Sequence, residues 1–372
     1  MNTRRISQTL PLLTIVAALA LPSPALAQDP DALWRAGQQS FQSGDFRACI
    51  DNMQSALSAG GEAYDRWGWL HMVLGVCLGQ RGQRDEAISE LQTALELISE
   101  DSERWSANNS LAQVYVARGN SGDYDRAIAA ENEAGKYATS AAQRAVHSKT
   151  LGQAYYFKED WRNAVRHLGE AAAARNTDAD VAGKLGRAYM EVGDTDLART
   201  WFEKTLTLDR GNASAVTNLG RLYLNEANWS QAVRYLEQAV QRDPQNMQIR
   251  NMMGRAYLGA SRYGDAIAQL TQVVQARSSD GNAHYNLGQA YGAAGNDAQS
   301  ISSYSNALRY LEGGTTTRAD CLYDLGFMYE KVGSFEDALG ALEDSASISA
   351  QAKTTEAIDR VKERIRRQAA GS

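Results

Sequence analysis

The feature that most constrains this chain is a period. The segments Leu-Gly-Gln-Ala-Tyr at 151–155, Leu-Gly-Arg-Ala-Tyr at 185–189, Leu-Gly-Arg-Leu-Tyr at 219–223, Met-Gly-Arg-Ala-Tyr at 253–257 and Leu-Gly-Gln-Ala-Tyr at 287–291 begin 34 residues apart each time. A repeat of 20–50 residues means a stacked architecture, in which each unit is too small to bury its own apolar face. Nine residues after each tyrosine stands a small residue, Ala164, Ala198, Ala232, Ala266 or Ser300. A large apolar residue follows four later: Leu168, Phe202, Leu236, Leu270 or Tyr304. Offsets of three and four mark one face of a helix, and Gly193 or Gly295 breaks the chain between the two patterns. Each unit therefore reads as a helix, a tight turn and an antiparallel helix.

Weaker copies flank this block. Gly37 with Phe46 and Met53, then Leu74-Gly75 with Gly82, Ala87 and Leu91, give two units before it. Leu111-Ala112 with Tyr115, Ala127 and Ala134 gives a third, with Asn120, Ser121 and Gly122 as an insertion in its turn. Leu325-Gly326 with Tyr329, Gly333, Ala338 and Leu342 gives one after it. The expectation is an all-α superhelical solenoid of about nine hairpins: irregular units over 28–140, regular ones over 141–312 and a last over 313–350. A capping helix and tail over 351–372 would end it, with Ala357, Ile358, Val361 and Ile365 on one face and Arg360, Lys362, Glu363, Arg364, Arg366 and Arg367 on the others.

These residues resemble the tetratricopeptide repeat family, whose pattern sets a large residue, Leu-Gly and Tyr on the first helix and Ala, an aromatic or Leu, and Ala on the second. The resemblance spans roughly residues 31–348. Departures are Thr205, Val273 and Ser345 in place of the second-helix alanine, and a unit-closing proline kept only at Pro244. A glycine where the two helices cross lets them approach closely, and the small residue of the second helix is expected opposite it.

The beginning of the chain sets an address. Arg4 and Arg5 precede an apolar run from Leu10 to Leu21, and Ala25-Leu26-Ala27 is the small-x-small pattern of a signal-peptide cut, placed after Ala27. The run is shorter than the roughly 20 residues of a bilayer span, so export to the periplasm or secretion is expected. Loss of Arg4 and Arg5 moves the formal charge from −6 to −8, which argues against nucleic acid or anionic membrane as partner. Cys49 and Cys77 are close in repeat order and could pair in an oxidising compartment. Both occupy alanine positions of the pattern, which favours plain buried packing instead.

No chemistry-bearing constellation emerges. His71, His147, His167 and His284 are scattered over different units, and the chain has no Cys-x-x-Cys, nucleotide-binding glycine loop or nucleophile elbow. His284 reads as a packing residue. The expectation is a protein with no enzyme activity and no cofactor.

The family resemblance implies that first helices line a concave face, with the residue after the glycine and the one three later pointing into it. The first position reads Gln153, Arg187, Arg221, Arg255 and Gln289, and the second Tyr156, Met190, Leu224 and Leu258. A basic row beside an apolar strip is thus expected, flanked by Lys184, Asn218, Asn225, Asn251 and Asn286, of which Asn218, Asn251 and Asn286 are amides of a kind that in this family often hold a ligand backbone. Guanidinium groups about 10 Å apart repel by roughly 0.4 kcal/mol in water and about 1.7 at an effective dielectric of 20. That is tolerable without a ligand, so an anionic or carboxylate-bearing ligand and simple solvation both remain open. Arg187 has Glu191 one turn on, whereas Arg221 faces Asn225 and Arg255 faces Gly259. The functional expectation is a scaffold or adaptor of the cell envelope that binds an extended peptide or partner protein. A chaperone-like holder of exported chains is the alternative, and a bridge between larger assemblies is a third reading.

Overall fold

The computed structural model describes residues 29–60, 65–174 and 177–371, so the expected signal peptide lies outside the described residues. They form helices and turns, without strands among the described residues. Two compact units divide at Thr150 and Leu151, inside one helix, α7 (Ala141–Phe157).

The first unit pairs α1 (Pro30–Ser43) with α2 (Phe46–Gly60), α3 (Trp67–Gln80) with α4 (Arg84–Leu97), and α5 (Asp101–Arg118) with α6 (Asp123–Gly135). The turn expected to carry an insertion is closed by Asp123, fully buried, which accepts from the Asn120 amide at 2.9 Å and from Arg118 at 2.8 and 2.7 Å. Arg118 holds that carboxyl below the usual range.

Cys49 of α2 and Cys77 of α3 form a disulfide, with Cα atoms 6.4 Å apart and both side chains inaccessible. This overturns the expectation of plain packing. Each cysteine does hold a small buried position, but the second helix of one hairpin turns its position toward the first helix of the next, and the repeat pattern alone does not say that two such positions face each other.

The second unit continues from α7 with α8 (Trp161–Ala174), α9 (Ala179–Glu191), α10 (Thr195–Leu208), α11 (Ala213–Asn225), α12 (Trp229–Arg242), α13 (Met247–Gly259), α14 (Tyr263–Ala276), α15 (Gly281–Ala293), α16 (Asp297–Tyr310), α17 (Thr316–Lys331) and α18 (Phe335–Ile348), and closes on α19 (Ala352–Gly371). Asx residues begin first helices at the same period: Asp178, Asn212, Asn246 and Asp280 accept amide hydrogens of the first turns of α9, α11, α13 and α15. A cap of this kind contributes about 1 kcal/mol.

At the helix crossings the atoms nearest a glycine are those of the large apolar residue, not the small one. A Cβ on Gly254 would lie 2.5 Å from Leu270 Cγ, on Gly288 2.5 Å from Tyr304 Cδ1, and on Gly186 2.9 Å from Phe202. The small residue sits further along: Ser300 donates to the Gly288 carbonyl at 2.8 Å. The expected pairing is corrected accordingly, because the large side chain leans back toward its own N-terminus and fills the notch that the glycine leaves. Thr205 and Ser345, in place of alanine, are buried with their hydroxyls donating to the Trp201 and Ala319 carbonyls at 2.8 and 2.7 Å.

The last helix caps the stack. Ala357 and Val361 are buried against Ala338 and Leu342 of α18. Two of the arginines expected to point into solvent instead grip Glu330, buried on α17: Arg360 bonds both its carboxylate oxygens at 2.8–3.2 Å and Arg364 approaches at 3.2 Å.

Candidate binding surface

Successive first helices α9, α11, α13, α15 and α17 touch one another directly. Neighbouring helices approach on the inner side of a curved stack, so this row forms the concave face of the second unit. Contacts across it repeat in register. The residue after one glycine meets the residue two before the next: Gln289 of α15 donates to Asp324 of α17 at 3.3 Å, and Arg187 shares a cleft with Asn218, as Arg221 does with Met252.

That cleft, of about 270 Å³, lies between α11 and α13 and is also lined by Thr217 and Asp243. Arg187 is half-buried, with Nε 2.7 Å from Glu191 Oε1. Arg221 is half-buried as well and has no hydrogen bond or ion pair among the described residues. Burial, and then the Arg187 charge, pull its guanidinium below the ordinary value, while Glu191 opposes them. Asp243 also lines the cleft, its carboxylate accepting from Asn246 at 3.0 Å, and it forms no ion pair with Arg221. Arg255 stands one hairpin further on, exposed and likewise without an ion pair among the described residues.

The other expected site residues divide. Asn286 donates to Asn251 at 2.8 Å, so these amides pair across α13 and α15. Asn218 reaches Ser214 at 3.4 Å, and Asn225 is exposed at the end of α11. Lys184 pairs with Asp180, which also accepts from Gln153 at 3.0 Å, and its ammonium lies 6.0 Å from the centre of the half-buried Tyr156 ring. The apolar strip is corrected at Leu224 alone, since Tyr156, Met190 and Leu258 stay partly exposed. Leu224 is buried in the core, and Met190 and Leu258 pack against that core half-buried. Three residues along a helix rotate the side chain by about 300°, or 60° backwards. That turns Leu224 from the open face into the seam between hairpins.

Sequence reasoning missed a polar group at the α17 end. Asp324 accepts from Tyr285 at 3.1 Å as well as from Gln289, and Asp320 lies 3.7 Å from Lys353 of the cap. Burial pushes the Asp324 carboxyl up, against the pull of those hydrogen bonds. The available signal was the register: Asp324 stands two before Gly326, as Asn286 stands two before Gly288.

The histidines are not gathered. His71 lies 2.5 Å from Glu90 and His147 3.1 Å from Glu131, while His284 bonds the Ser278 carbonyl at 3.0 Å and stacks on Tyr310. Among the described residues no three or more His, Cys, Asp or Glu are grouped to hold a metal, and no helix is long and apolar enough to cross a membrane.

Models of the tetratricopeptide repeat match residues 73–141, 149–213 and 251–314, and a second such model matches 193–256. The chain belongs to the tetratricopeptide repeat family, a class of helical scaffolds that typically bind proteins or peptides and lack enzyme activity. Similar solved structures include MamA AMB-1, 24% identical with a TM-score of 0.43 over 45% of this chain and 99% of that one. YrrB, described as a TPR protein with an unusual peptide-binding site, is 20% identical with a TM-score of 0.45 over 52% and 97%. The C-terminal part of a TPR repeat-containing protein from Cytophaga hutchinsonii is 16% identical with a TM-score of 0.51 over 67% and 99%, a likeness of fold. No curated protein matches the sequence.

Proposed function

We propose that the chain is an exported, non-enzymatic adaptor whose second unit binds an extended segment of a partner protein carrying carboxylates. The observation that carries this reading is Arg221: a half-buried guanidinium with no hydrogen bond or ion pair among the described residues, in a cleft it shares with Arg187. Desolvating a cation without a partner is costly, and a carboxylate seated beside it recovers that cost. Arg255 extends the same charge along the face. The pattern at residues 1–27 and the Cys49–Cys77 disulfide support placement in an oxidising compartment such as the periplasm. The chaperone-like alternative loses support, because burial of Leu224 interrupts the apolar strip that sequence-blind holding would use.

The test is affinity capture from envelope extract with the chain lacking residues 1–27, alongside its Arg221→Glu/Arg255→Glu variant. The expected result is a partner bound by the parent and weakened at least tenfold in the variant, with helical circular dichroism unchanged and binding weaker at high salt. Equal capture by both proteins would remove the reading.

A further inference from the structure

The concave row changes character at its C-terminal end. The residue after each glycine runs Gln153, Arg187, Arg221, Arg255, Gln289, and then Phe327. Phe327 is 52% exposed even though α19 packs onto α17 and α18. A single exposed apolar residue is ordinary on a protein surface. This one differs by its register, since it occupies on α17 the place that the arginines hold on α9, α11 and α13.

The polar groups around it are already engaged. Asp320 and Asp324 sit on the same helix, the first beside Lys353 and the second bonded to Tyr285 and Gln289. A run of carboxylates finds cations without an ion pair at Arg221 and Arg255, and none at the matching place on α17, where Phe327 stands. We propose that the partner segment is bipartite: a run of carboxylates over Arg221 and Arg255, and an uncharged, large apolar residue seated on Phe327. This rests on the reading of the arginines given above. Arg255 and Phe327 are two hairpins apart, roughly 20 Å at the usual helix spacing of about 10 Å. An extended chain covers that distance in about six residues.

The experiment uses fluorescein-labelled peptides and anisotropy. Each has a run of glutamates, a Gly/Ser spacer of about six residues and a terminal leucine, in both chain orders, with serine-ended counterparts. The expected result is that at least one leucine peptide binds the parent about tenfold more tightly than its serine counterpart. That gain disappears in Phe327→Ser and survives in Phe327→Leu, both substitutions being at an exposed site. Glutamate-dependent binding without a leucine gain, or a gain that persists in Phe327→Ser, would overturn the bipartite segment and leave the arginine reading intact. Peptides that do not bind at all, or that bind Arg221→Glu as well as the parent, would sink both.

Discussion

At the scale of single residues, two kinds of glycine position make opposite predictions. Gly254 leaves a notch filled by Leu270, and a Cβ there would fall 2.5 Å from Leu270 Cγ. Gly254→Ala is expected to destabilise the second unit by about 1–3 kcal/mol, the usual cost of overpacking, read as a lower denaturant midpoint. An unchanged midpoint would mean that Leu270 moves aside freely. The turn positions behave in reverse. Gly193, Gly295 and Gly333 have left-handed backbones at φ 88°, 80° and 85°, and the same place in other hairpins holds Glu159, Ala227 and Ser261 at φ 62°, 55° and 60°. A side chain in that region costs about 1–2 kcal/mol, and glycine returns part of this through its freer unfolded state. Ala227→Gly should therefore stabilise by about 0.5–1 kcal/mol, seen as a higher midpoint; a lower one would show that the unfolded-state term wins. The notch glycines were legible in the sequence because they repeat every 34 residues. The strained turns were not, since their residue types give no hint that the backbone is left-handed.

Among the elements, α19 offers the clearest coupling of charge to stability. Arg360 holds the Glu330 carboxyl below its ordinary value, with Arg364 adding to the pull and burial opposing. A carboxylate depressed in the folded state contributes stability that is fully present above its unfolded value, near 4.5. That contribution fades as pH falls through the lower folded value. Amide exchange in α19, corrected for its intrinsic pH dependence, should thus accelerate below about pH 4.5, while helices without such a pair keep their protection. Arg360→Ala should bring the same loosening at neutral pH. Arg360 is half exposed and Arg364 remains, so the cost is closer to the 1–3 kcal/mol of an under-satisfied charged group than to that of a fully buried pair. Equal protection in variant and parent would reduce the cap to apolar contact alone. The cap helix itself could be read from its apolar spacing. Its grip could not, because Glu330 lies 30 residues before Arg360 and nothing local links them. The same limit explains the binding face: period placed Arg187, Arg221 and Arg255 in one row, but the 60° turn that buries Leu224 belongs to the packing between hairpins.

For the molecule as a whole, the disulfide joins stability to cellular address. It ties α2 to α3 across a sequence separation of 28 residues, and closing a loop of that size in the unfolded chain stabilises by about 3–4 kcal/mol in the chain-entropy view. The first unit has regular hairpins but less uniform spacing than the second, so such a restraint weighs heavily there. Because a repeat array draws its stability from neighbours, a local loss spreads over a few helices and then fades. Cys49→Ala/Cys77→Ala should accordingly raise amide exchange in α1–α4 while α13–α18 keep theirs. Thiol titration of the denatured parent, purified without reductant from the exported fraction, should find Cys321 free and no other cysteine; buried as it is, that thiol is pushed up to about 12 in the folded protein and reports only after unfolding. Three titratable thiols would mean that the chain matures in a reducing compartment, and the exported adaptor would lose its support. Faster exchange throughout α13–α18 would mean that the bridge governs the entire array rather than its first hairpins.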